Sequence, residues 1–222
     1  MNVANSIDRD RAAILEKLPA DVAVLPRWIR VWQLLELTEK IHPKFSREKC
    51  VEYLSSTKVT LEHRVKQLSK GMVAQLHLAI VMAIDVSLLV LDEPTLGLDI
   101  LYRKQFYTNL LNDYFDEERT IVITTHQVEE VEHILSDLVF IKDGRIALNC
   151  TMDEVQERYV ELMVAPDKAS MARELKPLYE RELFGRHIFL YENSDREQLK
   201  ALGELHTPSV ADLFVATMNG GE

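Results

Sequence analysis

Cysteine is almost missing from these 222 residues. Cys50 and Cys150 lie far apart and match no metal or redox spacing, so they read as reduced thiols of a cytosolic chain. Long apolar runs are missing too. The most membrane-like stretch, residues 72–91, contains Gln75, His77 and Asp85. A bilayer span needs about 20 predominantly apolar residues. The stretch reads instead as a buried helix followed by a buried strand, and any membrane association is expected to come through a partner. The opening residues, MNVANSIDRDR, lack the apolar run of a signal peptide. There is no Lys/Arg cluster. With 26 basic against 36 acidic residues, a formal net charge of −10 and a pI near 5.2, the chain is a poor match for nucleic acid as its main partner. Glycine is scarce: Gly71, Gly97, Gly144, Gly185, Gly203, Gly220 and Gly221 are all there are. None begins G-x-x-x-x-G-K-[ST], the loop whose backbone N–H groups wrap phosphates. Internal repeats and low-complexity tracts are absent.

What is present suits one globular domain, or one domain with a small appendage: 47% of residues are hydrophobic and 28% charged. Trp28, Val31/Trp32, Leu35 and Thr38 have helical spacing, which predicts a helix over 28–40 closed by Pro43. A second helix is predicted over 46–54. Ser69 is a good N-cap for a helix over 71–84, apolar nearly all round and so expected to be buried. The run 87–91 ends in Asp92-Glu93-Pro94 and reads as a central strand of a parallel sheet, apolar on both faces. A helix over 101–115, with Tyr102, Phe106, Leu110 and Tyr114 on one face, leads to a strand at 120–124 and then to His126. A helix at 127–135, a strand at 138–142, a turn at Asp143-Gly144 and a strand at 145–149 follow. This alternation is the α/β signature with a mostly parallel sheet. Beyond residue 150 the pattern changes. Strand candidates at 160–164, 179–183 and 187–191 alternate with helices near 168–176, 195–202 and 208–218, which reads as a small α+β appendage.

Four features carry chemistry. Leu88–Glu93 puts two carboxylates at the C-terminal edge of a buried strand, the edge where ligands bind in open α/β sheets. An acid there can hold Mg²⁺ through water, and its neighbour can orient or deprotonate an attacking water. Leu68-Ser69-Lys70-Gly71-Met72 opens a buried helix, where backbone N–H groups and the helix dipole suit a phosphate. Leu96-Gly97-Leu98-Asp99 follows Glu93-Pro94-Thr95, and His126 sits just past an apolar strand. Each has a plain structural alternative: a helix cap, a strand ending in a polar turn, a surface histidine.

In this order and spacing the four together resemble the ABC ATPase family. Residues 68–72 look like its signature motif, 88–93 like its Walker B strand with the catalytic glutamate, 96–99 like its D-loop, and His126 like its switch histidine. Asp143-Gly144-Arg145-Ile146 matches its turn into the last strand. The likeness spans roughly 14–150 and is most specific over 65–146. The signature departs from the common LSGGQ: Lys70 replaces a glycine and Met72 a glutamine, a form that resembles bacterial exporter ATPases. Residues 25–31, 42–45 and 207–215 look like the same group.

The resemblance implies a partial P-loop NTPase fold with a helical subdomain at about 27–70, a truncated ATPase domain over 1–150 and the appendage over 151–222. It implies ATP and Mg²⁺ as ligands. Asp92 would ligate Mg²⁺ through water, Glu93 would be the general base, and His126 would contact the γ-phosphate and position the water. Asp99 would bridge a dimer interface. Ser69, Lys70 and Gly71 would meet ATP held by the opposite subunit. The expected partners are a transmembrane permease and a second ATPase subunit, which would place the chain in the cytoplasm, peripheral to the membrane through the permease. Residues 24–45 would face that permease, with Trp28 and Trp32 as contacts or as subdomain core.

Walker A is expected to be missing by N-terminal truncation, and the family's Q-loop glutamine is replaced near Ala20 or Asp21. The P-loop strand lies centrally in the family's sheet, so its loss is expected to expose apolar strand edge and face and to leave the chain poorly folded or associating. Three readings stay open: an ATPase subunit of a transporter, most readily an exporter; a non-catalytic partner supplying only a signature; and an inactive fragment.

Overall fold

A computed structural model describes residues 25–116 and 118–219. The predicted Q-loop position near Ala20 and Asp21 lies outside the described residues. The chain divides into two compact units, Met1–His126 and Gln127–Glu222.

The first unit opens with α1 (Val31–Ile41), which buries Val31, Leu34 and Leu35 along one stripe. It starts later than the spacing predicts. Residues 26–29 are spent on a turn, with Ile29 N–H donating to Pro26 C=O at 3.1 Å, and Arg30 bridges Arg64 in extended backbone. Ser46 caps α2 (Arg47–Ser55) by accepting the Lys49 N–H at 3.2 Å, and α2 buries Cys50, Tyr53 and Leu54. Ser69 caps α3 (Lys70–Met82) as expected, accepting the Met72 N–H at 3.2 Å. Full burial of α3 is not found. Leu76, Leu78, Ala79 and Met82 are buried, while Val73, Ile80 and Val81 are half-buried.

β1 (Leu88–Asp92) pairs in parallel with β2 (Thr120–Thr124), Leu88 opposite Thr120 and Asp92 opposite Thr124. Between them, α4 (Ile100–Asn109) runs into a wider turn at Leu110–Tyr114, closed by the Phe115 N–H on Leu110 C=O at 2.9 Å. The single helix predicted over 101–115 therefore opens in its last turn, although Phe106, Leu110 and Tyr114 are buried as expected. The strands are covered on one face only. Leu89 and Leu91 are buried, whereas Leu88, Val90 and Val122 are 46%, 41% and 42% exposed. The expectation of a strand buried on both faces is corrected to one buried and one open face. Among the described residues, parallel pairing is confined to β1–β2.

In the second unit, α5 (Val128–Val131) and a tight turn at Glu132–Ile134 replace the longer helix predicted over 127–135. β3 (Asp137–Lys142) and β4 (Arg145–Thr151) form a hairpin whose two turn residues, Asp143 and Gly144, take φ of 51° and 73°. Positive φ at both central positions is what a two-residue turn needs to match strand twist, and Asp-Gly supplies it at low cost. Thr151 and Glu154 form a capping box at α6 (Met152–Arg158).

A four-stranded antiparallel sheet then forms in the order β6-β7-β5-β8, from β5 (Tyr159–Val164), β6 (Tyr179–Leu183), β7 (Arg186–Glu192) and β8 (Glu204–His206). With α7 (Ala169–Glu174) after β5 and α8 (Arg196–Lys200) after β7, this is a split βαβ, ferredoxin-like unit. β8 has only three residues and no apolar pattern, so the sequence did not signal it. It approaches β5 through Gly203, where a Cβ would stand 2.2 Å from Met163 O. One core lies under α7 and α8, built from Val160, Leu162, Ala172, Phe189, Tyr191 and Leu199. The other joins Leu138, Phe140, Leu148 and Cys150 of the hairpin to Tyr159, Leu190 and α9 (Val210–Asn219). The hairpin shares that core with α9, and the second compact unit runs from Gln127.

Candidate functional site

Parallel pairing puts the C-terminal ends of β1 and β2 side by side, and the acids and the histidine leave from that shared edge. Asp92, in register with Thr124, accepts a short hydrogen bond on Oδ1 from the Thr124 hydroxyl. Glu93 departs from strand geometry with φ 46°. Its N–H donates to Thr124 C=O at 2.9 Å, and its own C=O accepts the Leu96 N–H at 3.2 Å. A non-glycine residue held in the left-handed region costs on the order of 1–3 kcal/mol and persists where its surroundings over-determine it.

The Glu93 carboxylate is engaged on both oxygens. Oε1 accepts the His126 N–H at 2.9 Å and lies 2.7 Å from His126 Nδ1. Oε2 accepts the Thr125 hydroxyl at 3.2 Å. Glu93 is half-buried while the His126 ring is largely exposed. As a carboxylate, Glu93 can only accept, so the contact sets the proton on Nδ1 and turns Nε2 outward. Two sequence-named residues thus come together as a pair, and Asp92 sits one residue away on the same edge.

The loop after Glu93 is anchored. Thr95 is buried and its hydroxyl meets the Tyr107 hydroxyl at 3.3 Å, while Arg103 Nε donates to Leu98 C=O at 2.8 Å. Asp99, at the loop's end, accepts the Tyr102 N–H at 3.0 Å and caps α4. Gly71 packs against this loop: a Cβ there would lie 3.5 Å from Gly97 O. Ser69 and Lys70 are exposed at the N-terminus of α3. Ser69 spends its hydroxyl on the Met72 N–H, leaving the N–H groups of Lys70 and Gly71 as the open first donors of the helix. Trp28 and Trp32 are 68% and 37% exposed, so they are not the core of the helical subdomain.

Sequence reasoning missed Thr124 and Thr125. The signal was a polar Thr-Thr pair closing an apolar strand just ahead of His126. Among the described residues no cluster of three or more His, Cys, Asp or Glu is placed to hold a metal. Mg²⁺ needs none, since it binds through one or two carboxylates with waters and substrate phosphates. Asp92 offers one such carboxylate, its Oδ1 held by the Thr124 hydroxyl.

No family model matches the chain. The ABC transporter ATP-binding protein YtrB of Bacillus subtilis is 25% identical over 199 residues, covering 85% of this chain and 68% of that protein. The Nod factor export ATP-binding protein I of Paraburkholderia xenovorans is 33% identical over 165 residues, covering 68% of this chain, and that of Burkholderia thailandensis is 34% identical over the same length. The chain spans 54% of each of these two exporter proteins. Among solved structures, an ATP-binding subunit of an ABC transporter superposes with a TM-score of 0.51 at 21% identity over 60% of this chain and 57% of that one. A cobalt transport ATP-binding protein superposes with a TM-score of 0.50 at 15% identity over 86% of this chain and 68% of that one. These likenesses show a P-loop NTPase fold of the ABC ATPase kind. In sequence the chain is similar to ATP-binding proteins of ABC transporters, and its fold is similar to that of their solved structures.

Proposed function

We propose that the chain serves an ABC transporter, where ATP hydrolysis drives transport across a membrane in the export direction. The observation that carries this is Glu93: a glutamate at a strand end, in left-handed backbone, with its carboxylate aimed onto His126. That placement suits a general base that takes a proton from the water attacking the γ-phosphate. His126, with its Nδ1–H on Glu93, turns an accepting Nε2 toward the attacking water and helps position it. Asp92 would hold Mg²⁺ through water, and the ion would supply charge that neutralises the phosphates.

The N-terminus of α3 acts in trans. The Lys70 and Gly71 N–H groups and Ser69 meet the γ-phosphate of ATP held by a second ATPase subunit, as helix N-termini meet anions. Asp99 lies at that dimer interface. The exposed Trp28 and Trp32 face a transmembrane permease. No helix of the described residues is long and apolar enough to cross a membrane. In this reading the permease holds the chain peripheral to the membrane. Export is favoured by the names of the Nod factor relatives.

A second reading is that the chain lends only its signature to ATP held by a complete subunit. In a form that includes a P-loop, Glu93→Gln is expected to keep ATP binding and abolish turnover; unchanged turnover refutes the assigned base. In an assembly of this chain with a complete subunit, a silent Glu93→Gln beside a Ser69→Arg that stops turnover selects the second reading.

A further inference from the structure

We infer that Thr125 is a positioning residue for the Glu93–His126 pair, an inference that rests on the reading of Glu93 as the base. The backbone fixes where Glu93 starts but not where its carboxylate ends. Its N–H is tied to Thr124 C=O and its C=O to the Leu96 N–H, which holds the Cα in place. Three side-chain torsions remain, and a glutamate forfeits on the order of 1–2 kcal/mol of rotamer freedom when held still.

Contact with His126 alone does not stop the motion. Its N–H and its Nδ1 meet the same oxygen, Oε1, at 2.9 Å and 2.7 Å. A carboxylate held at one oxygen can pivot about it. The Thr125 hydroxyl takes the other oxygen, Oε2, at 3.2 Å and closes the clamp. Threonine suits this task because two heavy atoms on Cβ restrict χ1. One residue earlier, the Thr124 hydroxyl holds Asp92 Oδ1 in the same manner. The tail of β2 therefore places one hydroxyl on each acid at the end of β1, and the in-register pairing of Asp92 with Thr124 keeps the two steps aligned.

The clamp has a signature at His126. With the carboxylate fixed, Nδ1 carries the ring proton in the neutral form; with the carboxylate free to swing, that preference weakens. The test is long-range ¹H–¹⁵N NMR of the histidine-labelled 222-residue chain, with His126 assigned by a His126→Gln variant. Wild type is expected to show neutral His126 mainly as the Nδ1–H tautomer. Thr125→Val, of similar shape but without the hydroxyl, is expected to lower the Nδ1–H to Nε2–H ratio about fivefold, as loss of one hydrogen bond does. Thr125→Ser is expected to restore the wild-type ratio, which a purely structural role for the methyl would not allow. A Thr125→Val chain with the wild-type tautomer overturns the inference and leaves the Glu93–His126 pair standing. A wild-type chain already in the Nε2–H form overturns the pair itself.

Discussion

Gly71→Ala separates what the α3 N-terminus does for its own chain from what it does for a partner. An added Cβ meets one neighbour, Gly97 O at 3.5 Å, an ordinary van der Waals contact. Gly71 is the second residue of α3, in helical backbone that alanine adopts freely. Within the chain the substitution therefore carries no steric cost, and it removes conformational freedom from the unfolded state. The expected gain is about 0.5–1 kcal/mol. For a chain of this size, 1 kcal/mol moves Tm by about 2–4 °C, so a rise of a few degrees is expected in thermal melts followed by circular dichroism. The proposed role in trans pulls the other way. There the Gly71 N–H approaches the γ-phosphate of a partner's ATP, and a methyl beside it blocks the approach. Losing one hydrogen bond to a charged group weakens association by about tenfold or more. Sedimentation of the chain with a complete ATPase subunit under Mg-ATP reads that loss. A lowered Tm would show that the glycine is needed inside its own chain. A raised Tm with unchanged association would show that α3 makes no contact in trans.

Three further outcomes follow from the packing. Val90→Thr with Val122→Thr lowers the apolar content of the open face of β1–β2; light scattering is expected to show less self-association, and a wild-type chain that is already a monodisperse monomer contradicts the premise. His77 has a buried Nε2 without a hydrogen-bond partner, and burial lowers its pKa from 6.5. The fold favours the neutral ring, so its stability is full above pH 6.5 and is lost as pH falls through the lowered folded value. The drop in urea midpoint between about pH 7.5 and pH 5.5 is expected to shrink in His77→Leu, and an equal drop in both chains excludes His77 as a source of acid sensitivity. Gly203→Ala drives a Cβ to 2.2 Å from Met163 O and 2.9 Å from Val164 Cγ1. A loss of about 1–3 kcal/mol in chemical denaturation is expected, and unaltered stability means that β8 shifts freely against β5.

Much of the local structure was legible because it rests on neighbours in the chain. Ser69 caps α3 through a residue three positions on, Asp143-Gly144 makes its own turn, and the apolar run before Asp92 forms its strand. Burial was less legible. An apolar run on both faces was read as a strand covered on both, yet the coverage of Leu88 and Val90 depends on elements remote in sequence. The same holds for the second unit. Which compact body claims the hairpin 137–151 was settled by Val210 and Leu213 of α9 packing on Leu138 and Phe140. Asp99 shows a third case: its cap of α4 is readable from spacing, and a role at a dimer interface is not visible within one chain.

For the candidate site, the sequence by itself determined which groups are available: two acids closing β1, two threonines and a histidine closing β2, a serine and a glycine opening α3. Only the tertiary structure decided how they meet. Glu93 and Thr125 are 32 positions apart, and their contact exists because β1 and β2 pair in parallel with Asp92 opposite Thr124. A slip of one residue in that register would turn every side chain of the strand to the other face. The left-handed backbone at Glu93 is likewise held by Thr124 and Leu96 and not by any preference of glutamate. Local chemistry chose the residues, and long-range pairing aimed them.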